Sequence, residues 1–246
     1  MMKSSEKIKY ISNWIKQYVD QMPHKAESLV IGISGGIDSS VSSTLSAMTG
    51  IKTIVLTMPI RQKENQHDLS LKHQEWLLKN FKNVEAHTVN LDKLFETFSS
   101  TLNQFKNNHG FANSRARLRM TTLYQVAAAN KGIVVGTGNK VEDFGVGFYT
   151  KYGDGGVDIS PIADCNKTEV WELGKELGIL KEIIDAPPTD GLWDDGRTDE
   201  GQLGFKYQDL EDAMKNPNSP HRHEYEKIRK QNLHKMEPIP VCKIPS

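Results

Sequence analysis

The residues with the most chemical content lie in one run, Gly32-Ile33-Ser34-Gly35-Gly36-Ile37-Asp38-Ser39-Ser40. Two adjacent glycines let a backbone turn sharply and come close to an anion. The amide N–H groups of such a turn, the hydroxyls of Ser34, Ser39 and Ser40, and the start of a following helix form a cradle for phosphate oxygens. Asp38 sets a carboxylate beside that cradle. Alone it would repel a phosphate, but it suits a Mg²⁺ ion that bridges carboxylate and phosphate oxygens. The run is not a Walker loop, because no Gly-Lys-Ser/Thr follows, and it lacks the three spaced glycines of the dinucleotide fingerprint. Gly136-Thr137-Gly138 fails that fingerprint too, since Val141 stands where its third glycine would be. A plain strand-to-helix turn is the alternative reading of the run.

These groups work together only if a sheet holds them at one end. The apolar run 28–33 predicts a buried strand, and the Ser- and Ala-rich stretch 38–49 a helix, which puts the glycine turn at the carboxyl end of a strand. Further strands are expected at 53–57, 84–89 and 132–136, with helices over 6–21, 66–80, 91–105, 113–130 and 168–180. Strands that alternate with helices predict a doubly wound parallel sheet, an α/β fold in one domain spanning 1–246. Two short helices, 206–215 and 220–233, give it a helical C-terminal part. Between them and the sheet lies 185–204, rich in Gly, Pro and acidic residues, which reads either as a lid over a bound nucleotide or as a plain surface loop.

Ser34-Gly35-Gly36-Ile37-Asp38-Ser39 resembles the pyrophosphate-binding loop of the N-type ATP pyrophosphatases. These enzymes cleave ATP between its α- and β-phosphates and adenylate a substrate oxygen. Further segments narrow the likeness. Gly136-Thr137-Gly138-Asn139-Lys140-Val141-Glu142 and Gly147-Phe148-Tyr149-Thr150-Lys151-Tyr152-Gly153-Asp154-Gly155-Gly156-Val157-Asp158 closely resemble the ammonia-dependent NAD synthetases. So do Ala116-Arg117-Leu118-Arg119-Met120, Pro187-Pro188-Thr189 and His234-Lys235.

The resemblance implies a ligase that makes NAD, AMP and pyrophosphate from deamido-NAD, ATP and ammonia. It implies that Gly32, Ile33, Ser34, Gly35, Gly36, Ile37, Asp38 and Ser39 hold ATP, with Thr137, Lys167 and Thr189 also on ATP-contacting positions. Mg²⁺ falls to Asp38 and Glu142, and deamido-NAD to Arg117, Lys151, Asp158, His234 and Lys235. One spacing departs from the pattern. The family often has eight residues from this Glu to the Lys, whereas Glu142 to Lys151 is nine, so Asp143 is a rival for the role of Glu142; the offset from Thr137 favours Glu142. The resemblance further implies a homodimer with the dinucleotide near the subunit boundary.

The residue types suit that chemistry. A carboxylate is a poor acceptor for ammonia because its leaving group would be oxide, and adenylation replaces that group by AMP. Asp38, Glu142 and Lys167 would act by placing charge near the reacting phosphorus. Asn166-x-x-Glu169 resembles a helix-start cap, which puts Lys167 in a first turn where a positive charge opposes the helix dipole. A bound anion would remove the conflict, and a solvated surface lysine is the alternative. Arg115 and Arg119 share a helix face while Arg117 points elsewhere. Lys151 between Tyr149 and Tyr152 favours a cation–π contact with an aromatic ring or with nicotinate, and Asp158 has a purely structural role as its alternative.

Composition excludes other classes. With 37% hydrophobic and 25% charged residues the chain reads as globular, and 31 basic against 31 acidic side chains leave no field to attract a polyanion. A tRNA-modifying relative would need such a field, so no nucleic-acid partner is expected. A non-catalytic adenine-nucleotide sensor on the same fold is the rival of another class. Cys165 and Cys242 form no metal-ligand spacing and read as reduced thiols, and the N-terminus carries no apolar run, so a cytoplasmic protein with no membrane partner is expected. At 246 residues there is no room for a glutamine-hydrolysing domain beside this one, which makes free ammonia the expected nitrogen source.

Overall fold

Alternation of apolar strands and helices organises the chain. In a computed structural model, which describes residues 2–61, 64–189 and 198–245, the helix Ser4–Gln21 (α1) leads into the strand Ser28–Gly32 (β1). There follow Ile37–Ala47 (α2), Lys52–Thr57 (β2), Glu64–Asn80 (α3), Val84–Thr88 (β3), Asp92–Thr101 (α4), Asn108–Ala129 (α5) and Gly132–Val134 (β4). A π-helical turn, Lys140–Val146, precedes Lys167–Glu176 (α6), Lys181–Ile184 (α7), Asp199–Leu203 (α8), Tyr207–Lys215 (α9) and Arg222–Met236 (α10).

The four strands pair in parallel in the order β3-β2-β1-β4. Side chains of β1 alternate between the faces of the sheet. Leu29 and Ile31 pack with Ile8, Ile15, Val41 and Val170 from α1, α2 and α6, while Val30 packs with Ile54, Leu56, Phe95 and Ala127 on the other side. Helices thus cover both faces, which is why β1 and β4 read as continuous apolar runs and not as an alternating pattern. The C-terminal helices form a third core in which Tyr207, Leu210 and Tyr225 pack on Val141 and Val146 of the π-helical turn.

Several element ends differ from the sequence expectation, each for a local reason. α4 stops at Thr101 and tightens into a 3-10 turn, Asn103–Phe105. The hydroxyls of Ser99, Ser100 and Thr101 bond back to carbonyls one turn earlier and so compete with the helix ladder. α5 begins earlier than expected because Asn107 caps it, its side chain accepting from the N–H of Gly110 at 2.7 Å. α6 ends at Glu176, with Gly178 in the left-handed region at φ +70° just beyond. Within 185–204, α8 is helical, with Thr198 at its N-cap and left-handed Gly204 after its last residue. The stretch 190–197 lies outside the described residues, and with it the choice between a lid and a plain loop. Among the described residues no helix is long and apolar enough to cross a membrane. Cys165 is buried, Cys242 is exposed, and both are free.

One buried group makes this fold sensitive to acid. His73 on α3 has no exposed surface, places Nε2 3.0 Å from Ser43 Oγ and stacks on Trp76. Burial lowers its pKa to about 4. The unfolded chain therefore takes up this proton near pH 6.5 and the folded chain only near 4, so stability contributed at neutral pH is lost as pH falls between those values. His73→Gln is expected to reduce the loss of unfolding free energy between pH 7 and 4, measured by urea denaturation, by about 3 kcal/mol. An unchanged slope in the variant would exclude His73 as its source.

Candidate active site

β1 has β2 on one side and β4 on the other, so the connections leaving β1 and β4 diverge at their carboxyl ends. Open α/β sheets bind ligands at such a point. Here the divergence opens a cleft of about 390 Å³, lined by Gly32–Gly36, Asp38, Ser39, Gly136–Gly138, Glu142, Asp143, Ala186, Pro187 and Thr189, among others. Glycine is required at its rear wall, because a Cβ on Gly136 would lie 2.8 Å from Val157 Cγ2 and 3.1 Å from the Ile159 carbonyl.

The glycine loop is braced from within. Gly35 has φ +89°, which few side chains tolerate. Ser34 N–H donates to Ser39 Oγ at 3.2 Å, Gly36 N–H donates to Ser34 Oγ at 3.2 Å, and the Ser39 and Ser40 hydroxyls donate to the Gly36 carbonyl. The serines that the sequence suggests as phosphate donors are thus also what holds the nest in shape. Ile37 does not line the cleft; it is buried against Gly174 on α6, where a Cβ would come within 2.5 Å of Ile37 Cδ1. That close approach of α2 and α6 brings Lys167, the first residue of α6, to Asp38.

Lys167 is the centre of the site. Its ammonium donates to Asp38 Oδ2 and, at 2.9 Å, to Glu142 Oε1, with only 2% of the side chain exposed. Burial opposes its charge, but the charges of Asp38 and Glu142 outweigh that and raise its pKa. Burial likewise works against the Glu142 charge, yet Lys167, Tyr207 and Asn139 together hold Glu142 below the usual carboxylate range. Burial raises the Asp38 carboxyl, against the pull of Lys167. Lys167 is therefore not a solvated surface lysine. The anions that offset its place in the first turn of α6 are the protein's own: Asp38, Glu142, Glu169, which accepts from Asn166 N–H, and Glu211, which accepts from Thr168 N–H and Oγ1.

Asp143, the rival of Glu142, does not reach Lys167. It folds over Gly138, leaving no space for a Cβ there, and burial together with the charges of Asp154, Glu142 and Asp38 raises its carboxyl well above its ordinary value. This crowding bears on the metal the resemblance implies. Among the described residues no group of three or more His, Cys, Asp or Glu could hold an ion alone. Mg²⁺ ordinarily takes one or two carboxylates with substrate phosphates and water, and a cleft carrying surplus negative charge on hard oxygen donors fits it. Asp38 and Glu142, which line the cleft on either side of Lys167, are the carboxylates that could hold it.

Other expected residues lie elsewhere. Thr137 and Thr189 line the cleft. Arg117 is exposed, its Nε donating to the Lys151 carbonyl at 3.3 Å, and Lys151 Nζ sits 5.5 Å from the centre of the Tyr152 ring. Lys235 donates to the Tyr149 carbonyl at 2.7 Å and lies over the Tyr149 ring, while His234 is exposed. Asp158 accepts from Val134 N–H at 2.7 Å and from the Tyr124 hydroxyl at 3.0 Å, which makes it a tie at the end of β4. These five are not among the residues that line the cleft. Arg115 and Arg119 turn inward as their shared face requires. Arg115 lies over the Phe95 ring, and Arg119 donates to the Met58 carbonyl and lines the cleft.

Three contributors were not picked out from the sequence. Asn139 is fully buried, accepts from Val141 and Glu142 N–H to start the π-helical turn, and donates to Asp38 Oδ1 at 3.2 Å. Asn139-x-x-Glu142 is the same capping pattern as Asn166-x-x-Glu169 and was legible by that rule. Tyr207 and Asp199 complete the surroundings of Glu142 from α9 and α8, and no spacing in the chain announces them.

A family model described as NAD synthase matches residues 7–244. The NH(3)-dependent NAD(+) synthetase of Carboxydothermus hydrogenoformans is 38% identical over 84% of this chain and 83% of its own. That of Alkaliphilus metalliredigens is 33% identical over 97% and 99%. The structure of NMN synthetase from Francisella tularensis superposes with a TM-score of 0.91 at 32% identity, covering 99% of this chain and all of its own.

The shared ammonium makes a stability prediction. Lys167→Met leaves two partly buried carboxylates without their counter-ion, and ligand-free protein is expected to lose about 2 to 3 kcal/mol, the buried-pair cost reduced by their exposure to the cleft. Urea denaturation measures it, and a loss below about 1 kcal/mol would mean that solvent, not Lys167, balances these acids.

Proposed function

Because the chain belongs to the NAD synthase family, we propose that it converts deamido-NAD, ATP and ammonia to NAD, AMP and pyrophosphate. The observation that carries this reading is the cluster of Asp38, Glu142 and Lys167 beside the glycine nest, at the sheet's ligand-binding point. The turn Ser34–Gly36 and the N-terminus of α2 cradle the triphosphate. Asp38 and Glu142 would hold Mg²⁺, which would supply positive charge to offset that of the phosphates. Lys167 keeps both carboxylates oriented before ligand arrives. The nicotinate carboxylate attacks the α-phosphorus, pyrophosphate leaves, and ammonia then displaces AMP from the adenylate. No side chain need become covalently attached, since both reacting nucleophiles come from the substrates; position and fixed charge supply the rate.

A second reading concerns the acceptor. The likeness to the Francisella tularensis NMN synthetase extends over nearly the whole of both chains. That favours weighing nicotinate mononucleotide, the smaller carboxylate whose amide is NMN, against deamido-NAD.

We place the reaction in the cytoplasm and the protein in a homodimer. Arg117 and His234 are exposed and outside the cleft lining, which supports an acceptor site completed by a second copy. Sedimentation is expected to give a dimer, and a fully active monomer would reject that assembly.

The activity is tested by pyrophosphate release from ATP and ammonium with each acceptor. Deamido-NAD is expected to give a kcat/KM at least about tenfold above nicotinate mononucleotide, glutamine to replace ammonium poorly, and Asp38→Ala to lose at least about a hundredfold with its circular dichroism unchanged. The opposite acceptor preference would move the assignment to the mononucleotide. Release with neither acceptor would leave the nucleotide-sensor alternative.

A further inference from the structure

Tyr207 heads the largest side chains with almost no solvent exposure, yet it carries a polar group into the site. Its hydroxyl lies 2.5 Å from Glu142 Oε1 and 3.4 Å from Asp199 Oδ2. Its ring supports the Lys167 ammonium, 5.0 Å from the ring centre, and meets Trp171 edge-on at 5.8 Å. Its backbone N–H donates to Glu200 Oε1. A tyrosine hydroxyl carries one proton to donate.

The shorter distance assigns that proton to Glu142. Oε1 of Glu142 then receives two donors, Lys167 and Tyr207, which fixes the carboxylate at the edge of the cleft. Asp199, on the far side of the hydroxyl, also lines the cleft, and its backbone N–H donates to the Pro188 carbonyl, between the cleft residues Pro187 and Thr189. Tyr207 therefore sits between two walls of the site, bonded to the one that carries Glu142.

We propose that Tyr207 is a positioning residue of this enzyme, holding Glu142 in the orientation that receives the divalent cation of the ATP complex. The inference rests on the reading of Asp38 and Glu142 as metal ligands. A carboxylate ligand held by an outer partner binds its ion with less reorganisation than one that is free to turn.

Tyr207→Phe separates this role from packing. The ring, its contact with Lys167 and its edge-on contact with Trp171 remain, and Glu211 still anchors α9 to α6 through Thr168. The variant is expected to fold, with a melting temperature within a few degrees of the parent. Mn²⁺ binding in the presence of ATP, read by electron paramagnetic resonance, is expected to weaken about tenfold, and kcat to fall by a similar factor while KM for the acceptor changes less than about twofold. Binding is referred to the folded fraction at each temperature, so a loss of fold is not read as a loss of affinity. A folded variant whose Mn²⁺ affinity and kcat stay within about twofold of the parent overturns the proposal. The parent protein is the control on the wider reading: if it releases no pyrophosphate, the assigned reaction fails, while the Mn²⁺ comparison still decides the role of Tyr207.

Discussion

A single buried ammonium, that of Lys167, is the constraint on which the site depends. It is shared by Asp38, 129 residues earlier in the chain, and Glu142, 25 residues earlier. Two carboxylates at the mouth of a phosphate nest repel each other, and taking three charges out of water is costly unless each finds a partner. The fold meets both demands with one cation, so the three elements that carry these residues must close on one another: the start of α2, the π-helical turn and the first residue of α6.

The helices are arranged to make that closure possible. Gly174 removes the side chain that would keep α6 away from α2. Asn139 caps the π-helical turn with its oxygen while its amide group donates to Asp38, so one buried side chain starts an element and orients an acid. A π-helical turn is wider than an α-turn and costs backbone regularity, and such turns recur where a side chain must be aimed. Glu169 is held by Lys7 from α1 as well as by the start of α6, which ties the N-terminal helix to the same cluster. Asp38, Lys167, Glu142 and Tyr207 form a chain of alternating charge and hydrogen bonding across the cleft wall, and the Lys7–Glu169 pair clamps the start of the helix that carries Lys167.

This arrangement also explains why the active-site loop is rich in serine. Ser34, Ser39 and Ser40 stabilise the bend among themselves, so the nest exists before any ligand arrives. A nest already in shape loses less entropy when a triphosphate enters it. In the proposed reading the nucleotide lies on this braced turn, with the charged side chains fixed behind it.

By itself the sequence determined the parallel α/β sheet, the position of the glycine turn at the end of β1 and the family, because these depend on local signals. Continuous apolar runs mark buried strands, two glycines mark a tight turn, and a long block such as Lys151–Asp158 is specific enough to name relatives. Capping chemistry at Asn107 and Asn139 was equally local and legible, though apolar periodicity passes over it. Only the tertiary structure decided that Lys167 is the buried counter-ion of Asp38 and Glu142, that Asp158 ties the end of β4, that Arg119 and not Arg117 turns into the cleft, and that Tyr207 reaches Glu142 from α9. The physical reason is range: helix and strand signals act over a few residues, whereas the partner that makes a buried charge tolerable is chosen by how distant helices pack, and no spacing along the chain records that choice.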